Sequence, residues 1–97
     1  MTVTICARLW AHPDGEQLLF DYENQVLALL ERHQGKVLWR GRALDNGPCE
    51  IQILEFASGQ ALVDFQNDPE RRGLMALRDQ AIERTEVISV EQLPTPG

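Results

Sequence analysis

Apolar and polar residues alternate along the start of the chain. Val3, Ile5, Ala7 and Leu9 fall on one side and Thr4, Cys6, Arg8 and Trp10 on the other, which predicts a strand over 3–10. His12-Pro13-Asp14-Gly15 breaks the alternation, with Asp14 as the expected N-cap and Gln17 in the capping-box position. Over 15–34 the period lengthens to that of a helix. Leu18, Tyr22, Val26, Leu29/Leu30 and His33 share one stripe, and Asp21, Glu23, Glu31 and Arg32 are expected in water. Gly35 is the expected left-handed stop. A second strand is predicted over 36–44, a turn at Asp45-Asn46-Gly47-Pro48, and a third strand over 49–56. Ser58 is placed to cap a short helix carrying Ala61, Leu62 and Phe65. Asp68 with Pro69 restarts a helix to about Arg84, striped by Leu74, Leu77, Ala81 and Ile82. A last strand is predicted over 85–93, followed by a tail, 94–97.

The order β-α-β-β-α-β predicts an α+β domain of the ferredoxin-like kind over 1–93: a four-stranded antiparallel sheet with both helices on one face. The helices are expected over Val3, Ile5, Ala7, Leu9, Ile51 and Ile53, with Glu55 pointing the same way. The opposite face would then carry Thr4, Cys6, Arg8, Trp10, Gln52, Leu54 and Phe56. That set is too polar for a core and too apolar for water. With Trp39 or Leu38 added, it predicts an exposed apolar patch that a second copy would cover, giving a homodimer with a cavity between two sheets, a dimeric α+β barrel.

Composition narrows the function classes. The chain has 97 residues, 9 Lys+Arg against 15 Asp+Glu, and a net charge of −6. That length suits one domain, burying roughly 60–70% of its unfolded surface. Apolar content of 43% and charged content of 25% exclude a disordered chain. The apolar runs are a few residues long, so neither a membrane span nor a signal-peptide core is expected. An acidic chain whose only lysine is Lys36 is not expected to bind nucleic acid. The expected compartment is the cytoplasm. Cys6 and Cys49 are too few for a disulfide scaffold, and the face assignment sets them on opposite sides of the sheet. His12 and His33 lie far apart, with no metal-ligand spacing around them, so no metal is expected.

Phe20-x-Tyr22-Glu23, then Leu29-Leu30 and His33-Gln34-Gly35-Lys36, resembles a helix-to-strand passage found in a family of small bacterial proteins. Ile53-Leu54-Glu55-Phe56-Ala57-Ser58, Phe65-Gln66-Asn67-Asp68-Pro69-Glu70 and Leu77-Arg78 extend the resemblance over residues 3 to 93. The family is a domain of unknown function in the dimeric α+β barrel superfamily, related to antibiotic-biosynthesis monooxygenases. The resemblance implies the fold and a homodimer, and no particular reaction. The chain departs from the family at Arg71, where an aromatic residue is usual, and at Gln34-Gly35 in place of a glycine pair.

Several residues are candidates for chemistry. Arg8, mid-strand on the face assigned to the dimer interior, needs an anionic partner. That partner is either a ligand carboxylate or phosphate, or Glu50, or an acid of a second subunit. Arg40 and Arg42 share a strand face and are placed to join Arg8 across the sheet, or else to charge an edge strand against aggregation. Glu55 and Arg78 suggest a structural ion pair, or a buried carboxylate base. His12 is a candidate general base at a cavity mouth. Tyr22 is read as core and His33 as a helix-end histidine. Trp10, Trp39 and Phe56 are expected to wall a cavity or fill an interface, and Gln52 to contact a ligand. The ligand-binding set is thus Arg8, Trp10, Trp39, Arg40, Gln52 and Phe56, with His12 and Glu55 as catalytic candidates and no cofactor. Two functions fit. One is a site for a small polar or anionic molecule, such as that of a cofactor-independent monooxygenase or isomerase. The other is a structural dimer module with a filled interface. Haem degradation, known among relatives, would need a well-placed axial histidine, which His33 does not offer.

Overall fold

The computed structural model describes all 97 residues. Its first strand, β1 (Val3–Ala11), buries Ile5, Ala7 and Leu9 and leaves the intervening residues half-exposed, as the alternation predicts. Three more strands complete one antiparallel sheet: β2 (Gly35–Gly41), β3 (Glu50–Phe56) and β4 (Ile82–Val90), in the order β2-β3-β1-β4. The helices α1 (Glu16–Leu27), α2 (Gly59–Gln66), α3 (Pro69–Arg72) and α4 (Met75–Ala81) serve one face of it. This is the ferredoxin-like arrangement expected from the element order.

Register corrects the assignment of β3. Ile5 pairs with Leu54, Ala7 with Gln52 and Leu9 with Glu50. Directly paired residues share a face, so Glu50, Gln52, Leu54 and Phe56 lie under the helices, and all four are buried. Ile51, Ile53 and Glu55 turn to the open face instead, the reverse of the expectation from hydrophobicity. The core tolerates Gln52 because its amide finds two carboxylate acceptors there. In β2 the register shifts between Val37 and Trp39, a bulge at Leu38. Beyond it Trp39 sits opposite Ile53 on the open face, and Arg40 sits opposite Gln52 on the helix face.

The ends of the elements differ from the expected ones in ways the packing explains. Asp14 does not cap α1: it adopts φ 61°, Gly15 is the N-cap, and the Gly15 amide bonds the His12 carbonyl at 2.8 Å. The helix stops at Leu27, and a 3₁₀ turn covers Leu30–His33. Gln34, rather than Gly35, takes the left-handed conformation, with φ 56°. Gly35 is needed for a different reason: a Cβ there would lie 2.9 Å from Phe56 Cε1 and 3.1 Å from Leu30 Cδ2. The long second helix is broken into α2, α3 and α4. Strand β4 begins at Ile82, earlier than expected, because Ile82 pairs with Ala11. Ser58 and Asp68 cap α2 and α3 as predicted; the Ser58 hydroxyl accepts the Ala61 amide at 3.1 Å.

The core is one cluster of 14 buried residues between sheet and helices, with Leu19 and Phe56 fully enclosed. On the open face Trp39, Ile53, Cys6 and Ile88 form a row across the four strands, with Ile51 next to Ile53 along β3. Trp39 is 54% exposed and Ile88 46% exposed. The Trp39 ring lies over Gly41, where a Cβ would overlap it. Both cysteines are free thiols. No helix is long and apolar enough to cross a membrane.

Candidate functional site

Between the helices and the sheet the core leaves a cavity of about 90 Å³. Apolar side chains make most of its wall, among them Ile5, Ala7, Leu54, Val26, Leu62 and Phe65. That volume is room for a few waters or a small organic group. Seven polar or charged side chains line it from six elements: Tyr22 and Glu23 from α1, Gln52 from β3, Gln66 from α2, Arg71 from α3, Arg78 from α4 and Thr85 from β4. Few polar groups in an apolar wall is the usual make-up of a small-molecule site.

Two of these groups have no partner inside the protein. The Tyr22 hydroxyl and the Arg71 Nε are buried and make no hydrogen bond. A buried donor left unpaired costs about 1–3 kcal/mol. Tyr22 itself is 1% exposed. Burial, and then the charge of Glu23, pushes its phenol above the usual range, while Arg71 and Arg78 pull it down. Arg71 is steadied at its other nitrogens: Nη1 donates to the Gln66 carbonyl at 3.2 Å, and the guanidinium lies 5.2 Å from the Phe65 ring centre. Arg78 donates to the Thr85 hydroxyl at 3.3 Å.

Local sequence sets the position of Arg71. Asp68 and Pro69 start α3, and the Asp68 carboxylate accepts the amides of Glu70 at 2.8 Å and Arg71 at 3.3 Å. His33 Nε2 approaches the other carboxylate oxygen at 2.6 Å, with Arg32 at 3.4 Å. The His33 contact first, then the two amides and Arg32, lower the Asp68 carboxyl to about 2 against the cost of burial. His33 therefore anchors the segment that carries Arg71, with its ring edge-on to Phe65 at 6.2 Å.

Glu23 is 5% exposed and belongs to a chain of polar contacts leading to the surface. Gln52 Nε2 donates to Glu23 Oε1 at 2.7 Å and to Glu50 Oε2 at 2.5 Å. Arg40 grips Glu50 with a fork, Nε to Oε2 at 2.8 Å and Nη2 to Oε1 at 3.1 Å. Arg40 also donates to Asn24 Oδ1 at 2.6 Å and lies 4.7 Å from the Phe20 ring centre. Burial is the main cause that raises the Glu23 carboxyl above its ordinary range, with Glu50 adding to it; Gln52, Arg40 and Arg71 oppose the rise.

The residues expected to form a site are thus divided by the sheet. Only Gln52 reaches the cavity. Arg8, Trp10 and Trp39 lie on the open face, as expected for them. Arg8 pairs there with Glu86 at 3.5 Å rather than with Glu50, and Arg84 stacks 4.4 Å from the Trp10 ring centre. Arg40, turned over by the bulge, cannot join Arg8 across the sheet, and Phe56 is core rather than cavity wall. Glu55 faces away from the helices and pairs with Lys36 at 3.5 Å instead of Arg78. His12 is tied to α4, its Nε2 3.1 Å from the Asp79 carbonyl oxygen, and does not line the cavity. No group of three or more His, Cys, Asp or Glu is placed to hold a metal ion.

Two other cavity residues differ from their sequence expectation: Tyr22, expected as plain core, has an unpaired hydroxyl, and Glu23, expected in water, is buried. A signal for Glu23 exists: Leu19, Tyr22, Glu23 and Val26 are the buried positions of α1, an i, i+3, i+4, i+7 stripe centred one residue later than the stripe through Leu18. Arg71, the residue after Asp68-Pro69-Glu70, also lines the cavity.

The chain shares its fold with several solved structures. The protein RPA0582 of unknown function from Rhodopseudomonas palustris is 23% identical, with a TM-score of 0.78, over 97% of this chain and 84% of that one. SnoaB, a cofactor-independent oxygenase from Streptomyces nogalater, is 14% identical, with a TM-score of 0.76, over 97% and 95%. A dimeric protein of unknown function and ferredoxin-like fold from Bacteroides fragilis is 10% identical, with a TM-score of 0.72, over 94% and 96%. No curated protein matches the chain. Residues 10–93 match the family described as "Domain of unknown function (DUF1330)", so the resemblance seen in the motifs holds and the chain belongs to that family.

Proposed function

We propose that this protein binds a small anionic organic molecule, a carboxylate with a short apolar body, in the cavity between its sheet and its helices. The observation that carries the reading is the pair of buried donors without partners, Tyr22 Oη and Arg71 Nε, on a mainly apolar wall. A carboxylate accepting from both would recover the cost of burying them, and Arg71 and Arg78 supply compensating charge. SnoaB works without a cofactor on the same fold, which supports reading the cavity as a place for chemistry carried by side chains.

The open sheet face supports a homodimer. Trp39 and Ile88 are each about half exposed, at the two ends of a row through Ile53 and Cys6, and the structurally similar Bacteroides fragilis protein is dimeric. In this reading Arg8, Trp10 and Trp39 belong to the contact between copies, and the ligand lies on the other side of each sheet.

Titration of ¹⁵N-labelled protein with butyrate, 2-oxobutyrate and benzoate tests the site. Amide shifts are expected around Tyr22, Arg71 and Thr85, and are expected to weaken at least tenfold in affinity in Arg71→Met. No shifts with any of the three acids, or shifts confined to the Arg8–Trp39 face, would overturn the assignment.

A further inference from the structure

We propose that Glu23 is the catalytic base of an enolising site, which removes a proton from the carbon beside the carbonyl of a short 2-oxo acid bound in this cavity. The inference rests on the cavity being a carboxylate site and adds the reaction.

The geometry separates two roles within one pocket. Glu23 is a carboxylate on the cavity wall with one oxygen occupied: Oε1 accepts from Gln52, and Oε2 makes no hydrogen bond within the chain. A base needs a free lone pair on an oxygen that is otherwise held in place. Around it stand donors with nothing to donate to, Tyr22 Oη and Arg71 Nε. Donors fixed before the reaction at the place where negative charge appears are the arrangement that stabilises an oxyanion.

The proton steps balance without a further reactant. Glu23 Oε2 takes the proton from the carbon next to the carbonyl. The C–H electron pair becomes the C=C bond, and the carbonyl π pair moves to oxygen as an enolate; the carbonyl and carboxylate of a 2-oxo acid are adjacent, so Tyr22 turns to the enolate oxygen while Arg71 keeps the carboxylate. Returning the proton to carbon restores the oxo acid, and returning it to oxygen releases the enol. In D₂O the proton held by Glu23 exchanges with solvent, so each cycle replaces hydrogen by deuterium at that carbon.

The surroundings tune Glu23 for this. The groups facing it are Glu50, Arg40 and Arg71, with Tyr22 beside it and Gln52 bonded to it. Burial and Glu50 raise its carboxyl, which strengthens it as a base near neutral pH. Gln52, Glu50 and Arg40 act as positioning residues: the Arg40 fork fixes Glu50, Gln52 bridges Glu50 to Glu23, and the free oxygen of Glu23 is thereby set in one orientation. A structural carboxylate could use the same bonds, but it would have no need of two unpaired donors in the same cavity.

The test is proton NMR of 2-oxobutyrate in D₂O with the full chain, following loss of the C3 signal. Wild type is expected to accelerate exchange at least a hundredfold over buffer, with a rate that rises with pH as Glu23 ionises. Glu23→Gln keeps size and can still accept from Gln52, so it should fold, shift the same amides on titration, and lose the acceleration. Tyr22→Phe should lower the rate at least tenfold with the pH profile in place. If 2-oxobutyrate shifts the cavity amides but exchange is not accelerated, or is equally fast in Glu23→Gln, the base assignment falls and the binding site stands. If butyrate binds there and 2-oxobutyrate does not, the oxo-acid substrate class falls alone. If neither binds, both readings fall.

Discussion

Replacing Gln52 by leucine tests the polar chain on which the site depends. Gln52 is 2% exposed and donates to two carboxylates at 2.7 and 2.5 Å. A hydrogen bond to a charged group contributes about 1.5–3 kcal/mol, so losing two costs about 3–6 kcal/mol. Leucine fills much the same space and returns about 2 kcal/mol through apolar burial. The net loss at neutral pH is therefore about 1–4 kcal/mol. It should depend on pH, and the sign follows from Glu23. Gln52 holds the Glu23 carboxyl down against burial, so its removal raises that carboxyl further. A carboxyl that titrates higher in the folded state than in the unfolded chain keeps a proton the unfolded chain has released. Stability then falls as pH climbs from the unfolded carboxylate range, about 4.3, through the folded value. The deficit of Gln52→Leu should be small at pH 4 and full at pH 8. Urea unfolding of both proteins at matched concentration reads it. With a slope of about 1.5 kcal/mol/M, the midpoint should drop by about 0.7–2.7 M at pH 8 and by well under half that at pH 4. Equal deficits at the two pH values, or none, would refute an ionised Glu23 held by this amide.

Three further outcomes are expected. Gly35→Ala should destabilise by about 1–3 kcal/mol in the same unfolding assay, because the new methyl meets Phe56 and Leu30, both within 3.1 Å and both buried. Asp68 titrates at about 2 when folded and near 3.8 otherwise, so its contribution is present above about pH 4 and is lost as pH falls toward 2. Asp68→Asn should therefore be less stable than wild type at pH 6, and the gap should narrow by pH 2.5. Ile88→Glu places a charge on the open face, in the same cross-sheet row as Trp39, and should convert a dimer to a monomer in light scattering without altering the circular dichroism spectrum; an unchanged mass would remove that face from the interface.

The sequence by itself determined the order of elements, the two faces of β1 and the caps at Ser58 and Asp68. Each of these is local: alternation along one strand, or a side chain reaching an amide two or three residues away. The family was also legible, because its motifs run nearly the length of the chain. The face of β3 was not. Alternation divides a strand into two sets without saying which set is inside, and Ile51 and Ile53 looked more like core than Gln52 did. Pairing with β1 decided it, placing Gln52 where Glu23 and Glu50 could satisfy its amide. The bulge at Leu38 likewise turned Arg40 under the helices, a change of parity that strand period alone cannot show. The cavity follows from these two events and from the break between α2 and α3 that brings in Arg71. Its polar residues come from all four helices and from β3 and β4, so no single spacing along the chain connects them; only the closing of the helices over the sheet puts two unpaired donors in one cavity with a buried carboxylate.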